Sequence, residues 1–246
     1  MRIIVLFITF VFILASCKKA EDRPCFKGVG DETTVEIELA SFETLFLGPH
    51  LNYILVQDTV GKVVLTGGEN LINFIGSNIT DGELRITNDN RCNFLRTYKK
   101  SVTVEIHLVN INRIEFQGTK PLICQNTLTC PFLEVAIVQG AGAFNLKINN
   151  SRIKTNISNG WGNIVVSGST NYANFNAGSN GVIDSYGLVV QDSLHVISKT
   201  PGTLKVNAEA SFFKAETSST GDIWYIGTPA SLGHIQSGTG ELIDKN

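Results

Sequence analysis

The chain has 246 residues and a formal net charge of −2, with charged residues only 17% of the total. Arg152 is the only arginine after Arg113, so there is no basic surface for nucleic acid. The length allows one elongated domain or two small ones.

In chain order, Arg2 is followed by twelve mostly apolar residues, Ile3 to Leu14. That run is too short to span a bilayer as a mature helix but suits a signal-peptide core. It ends in Leu14-Ala15-Ser16-Cys17, which resembles a bacterial lipobox. Residues 1–16 then form a lipoprotein-type signal peptide. Cys17 becomes the lipidated first residue of the mature chain, and its several acyl chains anchor it in the outer membrane. The alternative is an ordinary signal peptide that carries a cysteine. Residues 17–30, with Lys18, Lys19, Glu21, Asp22 and Arg23, read as a solvated tether. Glu21 and Asp22 only partly fit the acidic cue that sends some lipoproteins to the cell surface.

From residue 31 onward apolar–polar alternation dominates, as in Val35–Leu39, Leu84-Arg85-Ile86 and Val102–Ile106. These segments predict strands, punctuated by turns at Gly67-Gly68, Asp81-Gly82 and Asn88-Asp89-Asn90. Only Glu69–Ile75 permits a helix. Residues 31–117 lack a regular glycine spacing and are expected to form wider, less regular coils. Val35–Leu39 is expected to cover the open N-terminal end of the core.

Four further cysteines are present: Cys25, Cys92, Cys124 and Cys130. An even number in an exported chain points to disulfides, with three possible pairings. Cys25–Cys92 and Cys124–Cys130 are favoured: the first would pin the tether, the second close a small loop. A zinc site is the alternative, but there is no CxxC and no nearby histidine.

Residues 118–246 carry the strongest signal. Gly142, Gly162, Gly181, Gly202, Gly221 and Gly240 follow one another at steps of 20, 19, 21, 19 and 19 residues. Two residues after each comes Phe144, Ile164, Ile183, Leu204, Ile223 or Leu242. A fixed period with one unbroken apolar column is the mark of a stacked solenoid. The glycines are expected at positive-φ corners, where a Cβ would meet the preceding coil. A β-sandwich is the competing architecture, but it requires no constant period. The predicted fold is an all-β solenoid, residues 31–246, of about 20 residues per coil.

The lipobox, Cys25, Asn90-Arg91-Cys92-Asn93 before Arg96-Thr97-Tyr98-Lys99, and the glycine pairs Gly140-Ala141-Gly142, Gly160-Trp161-Gly162, Ser219-Thr220-Gly221 and Gly238-Thr239-Gly240 resemble one family. It is the putative auto-transporter adhesin, head GIN domain family of Bacteroidetes lipoproteins. The resemblance covers most of residues 25–246. It implies a right-handed parallel β-helix on the cell envelope and brings no catalytic residues.

Because β-helices also host polysaccharide lyases and hydrolases, an enzyme is the competing class. Hydrolysis needs two carboxylates set across a cleft. The acidic residues of the solenoid half are scattered, although stacking would bring Asp184 near Lys205. Lyase action on uronates needs basic residues, and Arg152 stands nearly alone. His50, His107, His195 and His234 are dispersed, and no Gly-x-Ser-x-Gly elbow, P-loop or calcium nonapeptide occurs. No catalytic, cofactor or metal residues are therefore assigned. The candidate contacts for a glycan or protein ligand are Trp161, Tyr172, Tyr186 and Trp224, expected at corners or outward positions where rings stack on sugars or peptides. The alternative is that they merely cover corners and edges.

Overall fold

The computed structural model describes residues 27–90, 101–210 and 212–246. Cys17, Cys25 and Cys92 lie outside them, as does the expected Cys25–Cys92 bridge. Among the described residues, nineteen strands join one sheet. The N-terminal part comprises β1 (Glu32–Glu38), β2 (Thr44–Leu47), β3 (Asn52–Gln57), β4 (Lys62–Gly68), α1 (Glu69–Ile72), β5 (Ile75–Thr80), β6 (Glu83–Asn88) and β7 (Thr103–Leu108). Next come β8 (Arg113–Phe116), β9 (Leu122–Cys124), β10 (Leu128–Gly140), β11 (Ala143–Gly160), β12 (Asn163–Gly178) and β13 (Val182–Ser185). The chain continues through β14 (Leu188–Lys199), β15 (Leu204–Asn207), β16 (Phe212–Thr217), β17 (Ile223–Ile226), β18 (Ser231–Gln236) and β19 (Leu242–Asp244).

The strands wind into a parallel β-solenoid of about seven coils. The expected apolar column is one continuous ladder. Phe144 pairs with Ile164, Ile164 with Ile183, Leu204 with Ile223, and Ile223 with Leu242. The Asp184–Lys205 register carries the column across from Ile183 to Leu204. Phe144, Ile164, Ile183, Leu204 and Ile223 are fully buried. The ladder also runs back to Leu122, Tyr53 and Val104, which no glycine announces. A second inward ladder, Leu45–Ile114–Val135–Thr155–Phe175–Val196–Ala215, closes the core from another side. Burying one such apolar side chain is worth about 1.5–3 kcal/mol, and stacking repeats that gain at every coil.

Of the two expectations for the register glycines, the clash with the preceding coil holds and the positive φ does not. None of the six has a positive φ; among the glycines of the solenoid half that conformation belongs to Gly160, Gly168 and Gly227, at 131°, 108° and 87°. What excludes a side chain is the preceding coil. A Cβ on Gly221 or Gly240 would fall under 3.0 Å from the carbonyl oxygen of Gly202 or Gly221, and one on Gly162 or Gly181 would strike Ile137 or Ile157.

The N-terminal part is less regular than the rest, as expected, and the irregularity is one of strand order and direction. β2 lies between β6 and β8, and β3 between β7 and β9, so the chain turns back beneath its own first coil before climbing. β4 runs antiparallel to both β7 and β1, and β5 antiparallel to β6. Val35–Leu39 covers the core end in part: Ile37 and Leu39 pack against the core, while Val35 turns to solvent. Val35 is 40% exposed and β1 is the outer edge strand, where Glu32, Glu36 and Glu38 blunt strand addition. α1 adds Leu71 and Ile72, both buried, at the same end.

Cys124 and Cys130 are free, so the expected loop-closing bridge is not formed. Each cysteine is engaged along the solenoid axis instead of across the corner. The Cys124 thiol meets the backbone of Lys147 in the next coil, and Cys130 lies in register with Asn150. Burial pushes the Cys124 thiol up to about 12 and raises that of Cys130 as well.

Candidate functional site

Coil stacking turns a period of about 20 residues into lateral contact. Residues one coil apart lie side by side at the strand spacing of about 4.8 Å. Each outward position therefore becomes a column along the solenoid.

One outward strip, two neighbouring columns wide, carries ion pairs: Glu134, Lys154, His195 and Lys214 stand in one column, Asn156, Asn176 and Glu216 in the next. Glu134 accepts from Arg113 at 2.9 Å and from Lys154 at 3.0 Å. Burial pushes the Glu134 carboxyl up, but Lys154 and Arg113 together outweigh it and hold the group below the usual range. Further along, Glu216 accepts from Lys214 at 2.6 Å and meets His195 at 3.0 Å, and these contacts keep its carboxyl low. Between the two clusters Asn176 donates to Asn156 at 3.2 Å.

A second outward column contains Phe132, Arg152, Tyr172, Ser193, Phe212 and Ser231, each in register with the next. Tyr172 and Phe212 are each 42% exposed. The Arg152 guanidinium lies 5.3 Å from the Tyr172 ring centroid, a cation–π contact.

The four aromatics expected from the sequence are not gathered into one patch. Trp161 stands at a corner and is 71% exposed. Tyr172 lies on the second column. Tyr186 is half-buried beyond β13, its backbone N–H donating to Asp184. Trp224 is in register with Lys205 on another outer column, half-buried, with the Lys245 ammonium 4.4 Å from its ring centroid. Asp184 and Lys205 do meet, at 3.6 Å. Phe132 and Phe212 were missed, although the steps along their column, 20, 20, 21, 19 and 19, follow the repeat.

Near the N-terminal end His107 bridges Asp58 and Glu105, at 2.8 Å each, so both ring nitrogens are engaged. A shallow pocket of about 350 Å³ opens beside it, between Leu39, Phe42, Val60 and Val109. Its one carboxylate, Glu43, already accepts from Asn112 at 2.7 Å. Among the described residues no histidine, cysteine and carboxylate cluster has the geometry of a metal site, and no helix is long and apolar enough to cross a membrane.

The fold and these columns define a parallel β-solenoid that displays its functional groups on its outer face. The chain belongs to the family described as "Putative auto-transporter adhesin, head GIN domain", which matches residues 41–229. Among solved structures it is similar to a putative adhesin from Bacteroides fragilis at 20% identity, covering 87% of this chain and 97% of that one with a TM-score of 0.79. A putative adhesin from Parabacteroides distasonis also matches at 20% identity, with coverages of 87% and 98% and a TM-score of 0.63. A third, a putative lipid binding protein from the same species, is 17% identical, with coverages of 87% and 97% and a TM-score of 0.60. These likenesses establish a shared fold. No curated protein matches the chain.

Proposed function

We propose that this protein is a lipid-anchored, adhesin-like module of the cell surface that binds a polymer, glycan or protein, through its outer face without cleaving it. The observation that carries the reading is the second outward column, where exposed rings and a cation repeat along the solenoid. The family's adhesin description supports it. A non-catalytic role is supported by the state of the carboxylates. A general acid needs a raised pKa, whereas Glu134 and Glu216 are held low by cationic partners. The anchor rests on Leu14-Ala15-Ser16-Cys17.

Two measurements test this. Cys17→Ser should move the protein from the membrane to the soluble fraction; unchanged fractionation would remove the anchor. A glycan and matrix-protein array, run beside a reducing-sugar release assay, should give binding without product. Product release abolished by one carboxylate substitution would make the protein an enzyme instead.

A further inference from the structure

We propose that the column Phe132–Arg152–Tyr172–Ser193–Phe212 binds an extended, β-linked acidic glycan laid along the solenoid axis. This rests on the polymer-binding reading above and names the ligand class. Rings recur at every second coil, since Phe132 is followed by Arg152, Tyr172 by Ser193, and then Phe212. Two strand spacings make about 9.6 Å. That is the length of one disaccharide in an extended β-linked hexose chain, so successive rings meet equivalent sugars. Aromatic rings present a flat apolar face with a negative quadrupole, which suits the C–H faces of pyranose rings.

Charge around Arg152 selects an acidic chain, and Asp192, exposed beside Ser193, bounds that selection to the Phe132–Tyr172 part of the column. β11 carries Lys147, Arg152 and Lys154, all exposed, and no carboxylate; β12 carries no charged residue at all. Lys154 is taken by Glu134. Among the described residues Arg152 has no carboxylate partner, only the Tyr172 ring. A planar guanidinium so placed is free to take a uronate carboxylate as a bidentate pair. On the same two strands Ser169 and Asn149, hydrogen-bonded at 3.2 Å, and Asn174, two residues after Tyr172, carry the neutral donors and acceptors that sugar hydroxyls need. A peptide fits less well. The column lies on a sheet face whose backbone groups are committed to the parallel ladder, so strand addition has no edge there.

The test is calorimetric titration of the full-length protein in detergent with hyaluronan oligosaccharides, set against neutral cello-oligosaccharides and polyglutamate. Circular dichroism melting checks that each variant stays folded. Hyaluronan should bind with an affinity that falls as salt rises. Tyr172→Ala and Phe212→Ala should each weaken it about ten-fold, equivalent to about 1.4 kcal/mol. Arg152→Gln should abolish the preference for hyaluronan over the neutral chain. Equal wild-type affinity for the acidic and neutral chains overturns the proposal, as does polyglutamate binding in place of hyaluronan. Array binding that these three substitutions leave untouched removes the column but spares the polymer-binding reading. An array on which nothing binds removes both.

Discussion

Ile183 offers the sharpest test of the stack. It is fully buried between Ile164 and Leu204, in the glycine-marked column that runs unbroken through the solenoid. Ile183→Ala removes three carbons, and at about 0.8 kcal/mol per methylene the transfer loss is about 2.4 kcal/mol. The neighbouring coils are tied by backbone ladders and relax only in part, so a cavity term brings the expected loss to about 3–4 kcal/mol. Against a total stability of about 5–15 kcal/mol this is a large fraction. The next residue is the internal control. Asp184 faces outward, and its carboxylate is about one-third exposed beside Lys205. Asp184→Ala should therefore cost less than about 1 kcal/mol. Urea unfolding followed by circular dichroism measures both. The slope must be compared as well as the midpoint, because a weakened coil can split a repeat protein into separately melting parts. Equal losses for the two variants, or no loss for Ile183→Ala, would refute the ladder as the source of stability.

Gly160→Ala should destabilise by about 1–3 kcal/mol in the same assay, because φ is 131° and the new Cβ would crowd the Gly140 carbonyl; wild-type stability would show that this corner is slack. The Cys124 and Cys130 thiols, raised by burial, should resist iodoacetamide in the native protein at pH 8 and react after unfolding, read by peptide mass mapping. A Cys124–Cys130 disulfide peptide would contradict the free thiols. Glu134 and Glu216 are held below the ordinary value of 4.5, so their contribution is complete above that pH and is lost as pH falls through the depressed folded values. The urea midpoint should fall between pH 5 and pH 3, about the range over which such groups titrate, and Glu134→Gln/Glu216→Gln should flatten that fall. Parallel curves for the two proteins would mean that other groups drive acid unfolding.

The interior of this fold is legible in the sequence because each inward column faces one demand at every coil. Position two after the glycine must be large and apolar six times over, so the repeat survives as a pattern of residue type. The N-terminal return is less legible. Val35–Leu39 and Val102–Ile106 alternate alike, yet the first is an antiparallel edge strand and the second pairs parallel with β3 on one side and antiparallel with β4 on the other. Alternation reports a half-buried strand and is blind to direction and neighbour. The cysteines misled for a related reason. A separation of six residues looks like a small loop, but stacking engages each thiol with the next coil.

The outer columns keep the period without keeping the chemistry, and that separates a supporting column from a binding one. In the strip that holds Glu134 and Glu216, two neighbouring columns wide, the charges answer one another: cations flank each carboxylate, and Asn156 and Asn176 pair in the Glu216 column. Little is left there for a ligand to satisfy, and exposed pairs of this kind add about 0–1 kcal/mol each to stability. The column through Tyr172 is different. Tyr172 and Phe212 remain in solvent, Phe132 is half-buried, and the column's one cation has an aromatic neighbour where the ion-pair strip supplies carboxylates. Phe, Arg, Tyr, Ser, Phe and Ser share no property that a periodicity search would score. Register alone puts them in line. A solenoid that fixes its core with one repeated residue type leaves every outward position free to change coil by coil, so a recognition surface on such a scaffold is found by asking which outward groups their neighbours do not already satisfy.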